Sequence, residues 1–219
     1  MSWVIGFIEK GGLDSLTVLI DAYFKNEAKT EADHELLHET LKCLRGLLNN
    51  KHGIKAAMAS DIILGNITAG LVSPLPSSKR LILEIMSVMS CVDPPKGHAK
   101  VLKAFRHFKT LSKGKRLFET IVRDMAAIAK QQPEKNREHM EFLVEPLRFS
   151  IFFFFSHHFR PTQFTATTFV NAMIMRADDL DYSIHLRNEF YASGLADVIE
   201  VGLFPPPFPK SFSHLPRLT

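Results

Sequence analysis

The chain has 219 residues, of which 46% are hydrophobic and 23% are charged, and this is the composition of an ordinary globular protein. It excludes a chain that is disordered over most of its length, because too few residues are polar. No unbroken apolar run is longer than that at 151–155, which is far shorter than the roughly 20 residues that a membrane span needs. No transmembrane segment is therefore predicted.

The two cysteines, Cys43 and Cys91, lie far apart inside apolar helical patterns. They cannot build a disulfide framework, and two thiols alone do not make a zinc site. The start of the chain lacks the basic residues, apolar stretch and small-residue cleavage site of a signal peptide. These features together predict a protein of the reducing cytoplasm.

The net charge of +4 is unevenly distributed along the chain. The segment 96–116 contains basic residues and no acidic one: Lys96, Lys100, Lys103, Arg106, Lys109, Lys113, Lys115 and Arg116. The segment 178–200 reverses the sign, with Asp178, Asp179, Asp181, Glu189, Asp197 and Glu200 against Arg187 alone. Such asymmetry indicates charged partners or complementary charges within the molecule.

The predicted elements are helices. Apolar residues recur at the spacing of one helical face along the segments 13–24, 36–48, 81–92, 101–111 and 118–128. The segment 81–92 is apolar on nearly all sides, which is typical of a helix that is covered by neighbouring helices on most sides. Short breaks separate the helices at Gly11-Gly12, Asn50–Gly53, Pro74–Pro76, Asp93–Gly97 and Gly114. No period-two alternation appears before residue 150, so the predicted fold class is all-α.

The helix breaks also recur. A long helix ends, turns and restarts at Asn50–Gly53, and the same event returns about 44 residues later at Pro95–Gly97. A third instance follows at 172–179. A period of roughly 40 to 47 residues is typical of armadillo and HEAT repeats. The sequence therefore predicts an armadillo-like helical repeat solenoid, whose concave groove suits an extended or helical partner.

The predicted domain organisation has four parts. Armadillo-like repeats occupy 1–130 and final armadillo-like helices occupy 164–202. Between them, 131–163 is predicted to be a linker or atypical insert, because it opens with a polar stretch and contains an aromatic run with no helical face. The segment 203–219 is rich in proline and is predicted to be a disordered tail.

One zinc-protease pattern, H-E-x-x-H, occurs at 34–38. Zinc chemistry needs a third ligand, but Leu41 and Leu44 stand where the extended motif has glycine and histidine, and no glutamate lies between Glu39 and Glu84. We expect the leucines of the motif in the buried stripe and its histidines on a solvated face. No catalytic residue, metal site or cofactor is predicted, so the protein is expected not to be an enzyme. Of the alternative functions, a zinc peptidase is the least favoured.

The basic run 96–116 has two interpretations. It could bind the phosphates of nucleic acid or of anionic lipid, or it could simply be a solvated helix face. Phe105 and Phe108 fall on the apolar stripe, so we expect them in the core rather than as platforms for bases. The sequence favours the solvated face, and a scaffold that binds anionic lipid or nucleic acid through this run is the alternative function.

Two adjacent amides, Asn49 and Asn50, follow a long helix, with Arg45 one turn upstream of Asn49. Asparagine commonly caps helix ends and tolerates turns, which is the simpler explanation. The other explanation is that these amides form hydrogen bonds with a docked helix or loop.

Several segments match the pattern of one family in order and spacing. Ser2-Trp3-Val4 resembles a Ser-Trp-Val opening, and 43–53 resembles the signature Cys-Leu-Arg/Lys-Ala-hydrophobic-Met-Asn-Asn-x-x-Gly. The segments 169–172 and 180–190 resemble hydrophobic-Ile-Asn-Ala and Leu-Asp-Phe-Arg-hydrophobic-His-hydrophobic-Arg-x-Glu-hydrophobic. These patterns are those of the armadillo-type formin-homology-3 region of the diaphanous-related formins, and 83–102 is similar to the Dishevelled-associated and formin-like branches.

The resemblance implies an autoinhibitory receptor in actin cytoskeleton organisation. In the family, the concave groove binds an amphipathic helix from the formin's own C-terminus, which silences the actin-assembling half until a Rho-family GTPase releases it. A cytoplasmic, cytoskeleton-associated protein is implied, which meets actin only through the rest of a full-length formin. Carried over by position, the groove contacts are Arg45, Asn49, Ile85, Val88, Cys91, Val92 and Asn171, with Ile85, Val88, Cys91 and Val92 as the apolar floor.

The chain departs from the family pattern at the groove. Glu84 stands where a basic residue is usual, and Thr168 stands where glutamine is usual. The family's GTPase-contacting asparagines lie just upstream of its Ser-Trp-Val, so the resemblance implies that the GTPase site is incomplete in this chain. Nucleic acid is not an expected partner.

Overall fold

The computed structural model describes residues 2–131 and 162–203, and every regular element in these residues is helical. The helices are α1 (Ser2–Glu9), α2 (Gly12–Lys25), α3 (Glu31–Leu48), α4 (Lys51–Ala59), α5 (Ile63–Ala69), α6 (Pro76–Ser90), α7 (Lys96–Leu111), α8 (Glu119–Gln131), α9 (Thr162–Met175), α10 (Leu180–Ala192) and α11 (Leu195–Leu203), with a short 3₁₀ turn at Gly70–Val72. The predicted all-α fold is confirmed. Most of the predicted insert 131–163 and of the predicted tail 203–219 lies outside the described residues, so both stay predictions.

The helices stack in two rows. Helix α6 lies between α3 and α9 in one row, here called the lining row, and α5 lies between α2 and α7 in the other. Contacts of α2 with α3 and of α6 with α7 join the two rows. One helix per repeat in each row is the architecture of an armadillo-like solenoid, and this prediction is also confirmed. Helices α8, α10 and α11 pack around the α9 end of the stack.

Two glycines set the spacing between successive repeats. A Cβ atom at Gly53, in the first turn of α4, would collide with the backbone carbonyl of Leu47 at the end of α3. A Cβ atom at Gly97, in the first turn of α7, would collide with the carbonyls of Met89 and Val92 at the end of α6. Each new helix therefore begins in direct backbone contact with the preceding lining helix, and only glycine allows this approach. These are the same two breaks that predicted the repeat from the sequence.

An aromatic cluster forms the core between α7 and the last helices. Phe105, Phe118, Phe169 and Phe190 are all buried. The rings of Phe118 and Phe190 stack with their centroids 4.0 Å apart, and those of Phe105 and Phe169 lie 5.0 Å apart. Phe105 and Phe108 are core residues, as the sequence predicted. Aromatic pairs of this kind add to the stability that buried area alone provides.

Buried and half-buried polar contacts fix the lining row at both edges. The Oγ of Ser78 on α6 lies 3.3 Å from Nδ1 of His38 on α3. The buried imidazole of His98 on α7 has its Nε2 2.8 Å from the carbonyl oxygen of Met173 on α9, so this nitrogen donates. Both contacts join residues far apart in the sequence. The first joins two neighbouring helices of the lining row, and the second joins α7 of the other row to α9 of the lining row.

The close approach at the two glycines generates a stability prediction. Gly53→Ala and Gly97→Ala should each destabilise the chain by about 2 kcal/mol or more, because a buried backbone has to move to make room for the methyl group. The free energy of unfolding, measured by urea titration of the full chain, checks this.

The matched control is Gly46→Ala in the last turn of α3, where a Cβ atom meets nothing within 4 Å. This change should stabilise the chain by up to about 1 kcal/mol, because alanine is the better helix former. Equal stability of all three variants would show that the two close approaches do not exist in solution.

Candidate functional site

Helix α6 leaves one narrow stripe accessible. Its contacts with α3, α7 and α9 bury Ser78, Leu81, Ile82, Leu83, Ile85, Met86, Ser87, Met89 and Ser90. The side chains that stay at least partly accessible along one face are Ser77, Arg80, Glu84, Val88 and Cys91, which follow at spacings of three and four. The sequence analysis did not single out Ser77 and Arg80, although they share this spacing with Glu84 and Val88. We call these five residues the α6 stripe.

The structure changes the predicted apolar floor of the groove. Ile85 is only 3% exposed, because it is rotated by about 100° from Glu84 and faces the core instead of the stripe. The placement of Ile85 on the open surface is therefore wrong in this structure. Val92 is partly buried and packs against the core at the end of the helix. The accessible apolar surface is thus confined to Val88 and Cys91, with Val92 beside them.

An ion pair crosses from α3 to the α6 stripe. Nη1 of Arg45 lies 3.3 Å from Oε2 of Glu84, and both side chains are about half exposed. A pair with this exposure contributes little to stability, since water screens both charges. Its effect is local: the acidic group at the middle of the stripe is neutralised by the basic group on the neighbouring lining helix. Glu84, which stands where the family usually has a basic residue, thus has an ion-pair partner in this chain.

The two asparagines at the end of α3 have different roles. The side chain of Asn50 accepts a hydrogen bond of 2.9 Å from the backbone N–H of His52 and so caps α4. Asn49 is exposed and ends α3, and its side-chain amide has no hydrogen-bond partner among the described residues. Asn171 on α9 is half-buried, and its amide likewise has no partner in this part of the chain. The capping explanation holds for Asn50, while Asn49 and Asn171 remain available to a ligand.

The two histidines of the H-E-x-x-H segment have different partners in the fold. His34 Nδ1 lies 2.8 Å from the hydroxyl of Tyr23, whereas His38 contacts Ser78, so each imidazole has its own partner. Leu37 is buried as expected, but Leu36 is 53% exposed, so its predicted burial is wrong. Within residues 2–131 and 162–203, no group of three or more histidine, cysteine, aspartate or glutamate residues is arranged to hold a metal ion. The helices in these ranges also include none that is long and apolar enough to cross a bilayer.

The basic run 96–116 divides into two halves. In the first half, Lys96 pairs with Asp93 at 3.1 Å, and Lys100 and Lys103 both pair with Asp61, at 2.7 and 3.0 Å. Arg106 donates a 3.0 Å hydrogen bond to the hydroxyl of Tyr182. In the second half, the side chains of Lys109, Lys113, Lys115 and Arg116 form no ion pair with any described residue. The run is therefore not one uniform phosphate-binding face.

The two rows of stacked helices define a class of protein, the helical-repeat solenoids, in which α6 leaves one face accessible. Residues 1–91 match the family model described as Diaphanous GTPase-binding Domain, and residues 98–201 match the one described as Diaphanous FH3 Domain. The two matches together cover most of the chain. The chain belongs to the diaphanous-related formins and corresponds to their N-terminal region.

Three relatives illustrate the similarity. Formin-F of Dictyostelium discoideum is 25% identical over 200 residues, which is 91% of this chain and 14% of that protein. Protein diaphanous homolog 3 of Rattus norvegicus is 22% identical over 91% of this chain and 14% of its own length. Disheveled-associated activator of morphogenesis 1-A of Xenopus laevis is 25% identical over 91% of this chain and 16% of its own length. The chain thus spans only about one seventh of the length of such relatives.

The two lysines on Asp61 generate a prediction about pH. Their hydrogen bonds and charges lower the pKa of Asp61 from its ordinary value of 3.8 to about 2. Because the pKa of Asp61 is lower in the folded chain than in the unfolded chain, ionised Asp61 stabilises the fold at pH values above 3.8. This contribution is lost as the pH falls from there towards about 2. Asp61→Asn should therefore lower the melting temperature at pH 7, and the difference from the unchanged chain should shrink as pH falls below 4.

Asp178→Asn is the matched control, since Asp178 is exposed and has no ion pair among the described residues. Its melting temperature should follow that of the unchanged chain at every pH. A difference for Asp61→Asn that stays constant from pH 7 to pH 3 would rule out the linkage.

Proposed function

We propose that this chain is a non-enzymatic regulatory region that holds the C-terminal amphipathic helix of a diaphanous-related formin on the lining row. The single observation that carries the proposal is the α6 stripe, an accessible helix face on a helix that is otherwise covered. A Rho-family GTPase controls the interaction. Through it, the region regulates actin filament assembly and actin cytoskeleton organisation by the full-length, cytoplasmic and cytoskeleton-associated protein.

The chemistry of the stripe suits an amphipathic helix. Such ligands insert apolar side chains, spaced three and four residues apart, into a groove between helices. Val88 and Cys91 offer the apolar contact. The amides of Asn49, at the end of α3, and Asn171, on α9, flank α6 on either side and have no partner within the described part of the chain. An amide both donates and accepts hydrogen bonds, so it can bind the backbone ends or the polar side chains of a docked helix.

Acidic residues near the last repeat support the choice of ligand. Asp178 and Asp181 are exposed, whereas Asp179 caps α10 by accepting a hydrogen bond of 2.6 Å from the N–H of Tyr182. The resemblance implies an autoregulatory helix with a basic flank. Exposed carboxylates beside α9 would attract that flank and orient the helix along the lining row.

The match to the GTPase-binding domain supports control by a GTPase. It spans residues 1–91 and so includes α3 and α6, two of the three lining helices. We infer that a bound GTPase and a bound autoregulatory helix exclude one another, because both depend on the arrangement of these two helices. Linkage then requires each ligand to weaken the other by the same factor.

The groove proposal predicts the effect of a charge on the stripe. Val88→Asp should weaken binding of a leucine-rich amphipathic peptide from the C-terminal region of a diaphanous-related formin by at least about tenfold, because an unpaired carboxylate would be desolvated under the peptide. Isothermal titration calorimetry with the full chain measures the dissociation constant.

The control is Val18→Asp, the same substitution at an exposed position on α2, in the other row. It should leave peptide affinity unchanged. Adding a GTP-loaded Rho-family GTPase to the titration tests the regulatory part and should lower peptide affinity. Equal affinity of both aspartate variants would remove the lining row as the binding site.

The three asparagines should separate binding from folding. Asn49→Ala and Asn171→Ala should weaken peptide binding several-fold with little effect on stability, because neither amide has a partner among the described residues. Asn50→Ala should instead destabilise the chain by about 1 kcal/mol, because it removes the cap of α4. Peptide titration and urea unfolding of the same three variants measure both quantities. If Asn50→Ala weakens peptide binding and Asn49→Ala does not, the amides of this turn serve to cap the helix and Asn49 does not contact the peptide.

A further inference from the structure

We propose that the last turn of α7 and the start of its connection to α8 form a docking surface for an anionic lipid bilayer. This segment, here called the basic loop, comprises residues 109–116. It carries Lys109, Lys113, Lys115 and Arg116, together with the partly exposed Leu111. The surface is separate from the α6 stripe, and the proposal does not depend on the function proposed above.

The first argument is the pairing of the charges. Each basic side chain of the preceding helix face has a partner within the fold, namely Asp93, Asp61 or the hydroxyl of Tyr182. The four cations of the basic loop have none among the described residues. A cation paired with a carboxylate attracts an external anion less strongly, because the carboxylate offsets its charge. Asp93 and Asp61 offset part of the charge of Lys96, Lys100 and Lys103, and Arg106 is held by a neutral hydroxyl, so the basic loop is the least compensated group of cations along the run 96–116.

The second argument concerns the hydrogen bonds that the nearby carboxylates accept. Oε2 of Glu119 accepts hydrogen bonds from the backbone N–H groups of Lys115 and Arg116, at 2.9 and 3.3 Å. Oε1 of Glu189 accepts a 3.0 Å hydrogen bond from the N–H of Leu117. The carboxylates hold the loop backbone in place and do not form ion pairs with its ammonium and guanidinium groups. Glu119 offsets one positive charge, and the exposed Arg123 one turn further along supplies another.

The loop conformation is fixed as well. Lys113 has a positive φ of 54°, and the N–H of Gly114 donates a 3.0 Å hydrogen bond to the carbonyl of Lys109, which closes the end of α7. A loop held at both ends loses little conformational entropy when it binds. Its cations are thus presented together on a preformed turn, which favours simultaneous contact with several lipid headgroups.

The third argument distinguishes lipid from nucleic acid. Leu111 is 38% exposed among the four cations, and a bilayer offers apolar chains below its headgroups where a leucine can insert. Nucleic acid has no such layer, and proteins that bind single strands use exposed aromatic rings. The phenylalanines nearest the loop, Phe108 and Phe118, are buried. The combination of exposed cations and one exposed leucine therefore favours a membrane surface.

Vesicle sedimentation of the full chain tests the proposal. The probe is phosphatidylcholine vesicles with and without about 30% phosphatidylserine, over a range of salt concentrations. The unchanged chain should bind only the anionic vesicles, with an affinity that falls steeply as salt rises. Lys113→Glu combined with Lys115→Glu should weaken binding by at least about tenfold, since each cation near the surface contributes about fivefold.

Lys96→Glu combined with Lys103→Glu is the matched control, because it makes the same charge change at exposed lysines that are already paired. This variant should bind within about twofold of the unchanged chain. An equal loss in both double variants would overturn the proposal, since net charge and not the loop would then govern binding. Circular dichroism and peptide titration should be unchanged in both variants, which separates this surface from the lining row.

Leu111→Ser tests the apolar contact without any change of charge. It should weaken vesicle binding several-fold, because the leucine no longer enters the acyl region, while Val18→Ser on α2 should have no effect. If single-stranded RNA binds the chain and anionic vesicles do not, or if neither loop variant changes vesicle binding, the bilayer is not the partner of this loop.

Discussion

The packing of α6 between α3 and α9 determines which part of this molecule a ligand can reach. Contact with these two helices and with α7 buries most of its circumference, although its sequence would allow almost any face to be buried. Glycine at positions 53 and 97 fixes the distance between repeats, because each new helix begins against the backbone of the preceding lining helix. The ion pair between Arg45 and Glu84 then forms where α3 and α6 run side by side. The α6 stripe is thus a consequence of backbone approach, and its ion pair follows from it.

The sequence predicted the helices well because their amphipathic period is local. Helix α7 has most of its apolar residues on one face, where Val101, Leu102, Phe105 and Phe108 are buried, and only Leu111 at its end is partly exposed. The same reasoning fails for α6, which is apolar nearly all round and therefore carries no periodic signal for the open face. Ile85 and Glu84 are neighbours in sequence, yet one lies in the core and the other on the stripe. Only the positions of α3, α7 and α9 distinguish them, and these are set by contacts between distant segments.

A similar limit applies to the polar residues of the turn after α3. Asn49 and Asn50 are identical in type and adjacent, so either could be a cap or a ligand contact by sequence alone. The distinction depends on which residue begins α4, since the N-terminal cap accepts a hydrogen bond from the second or third residue of its own helix. Asn50 makes this bond with His52, whereas the side-chain amide of Asn49 has no hydrogen-bond partner among the described residues. The basic run divides for a comparable reason, because Asp61 lies about 40 residues from the lysines that it neutralises.

The two proposed surfaces differ in how their charges are compensated, and this gives them different physical behaviour. On the α6 stripe, Arg45 and Glu84 already neutralise one another, so a docked helix gains mainly from apolar contact at Val88 and from hydrogen bonds to amides. These contacts depend only weakly on salt, in contrast to the attraction between the acidic residues near α9 and the basic flank of the helix. In the basic loop the carboxylates bind backbone amides, which leaves the cations to attract an external anion over a distance of about 8 Å at physiological ionic strength. A region built in this way can approach a charged membrane through one surface while the other selects its ligand by shape.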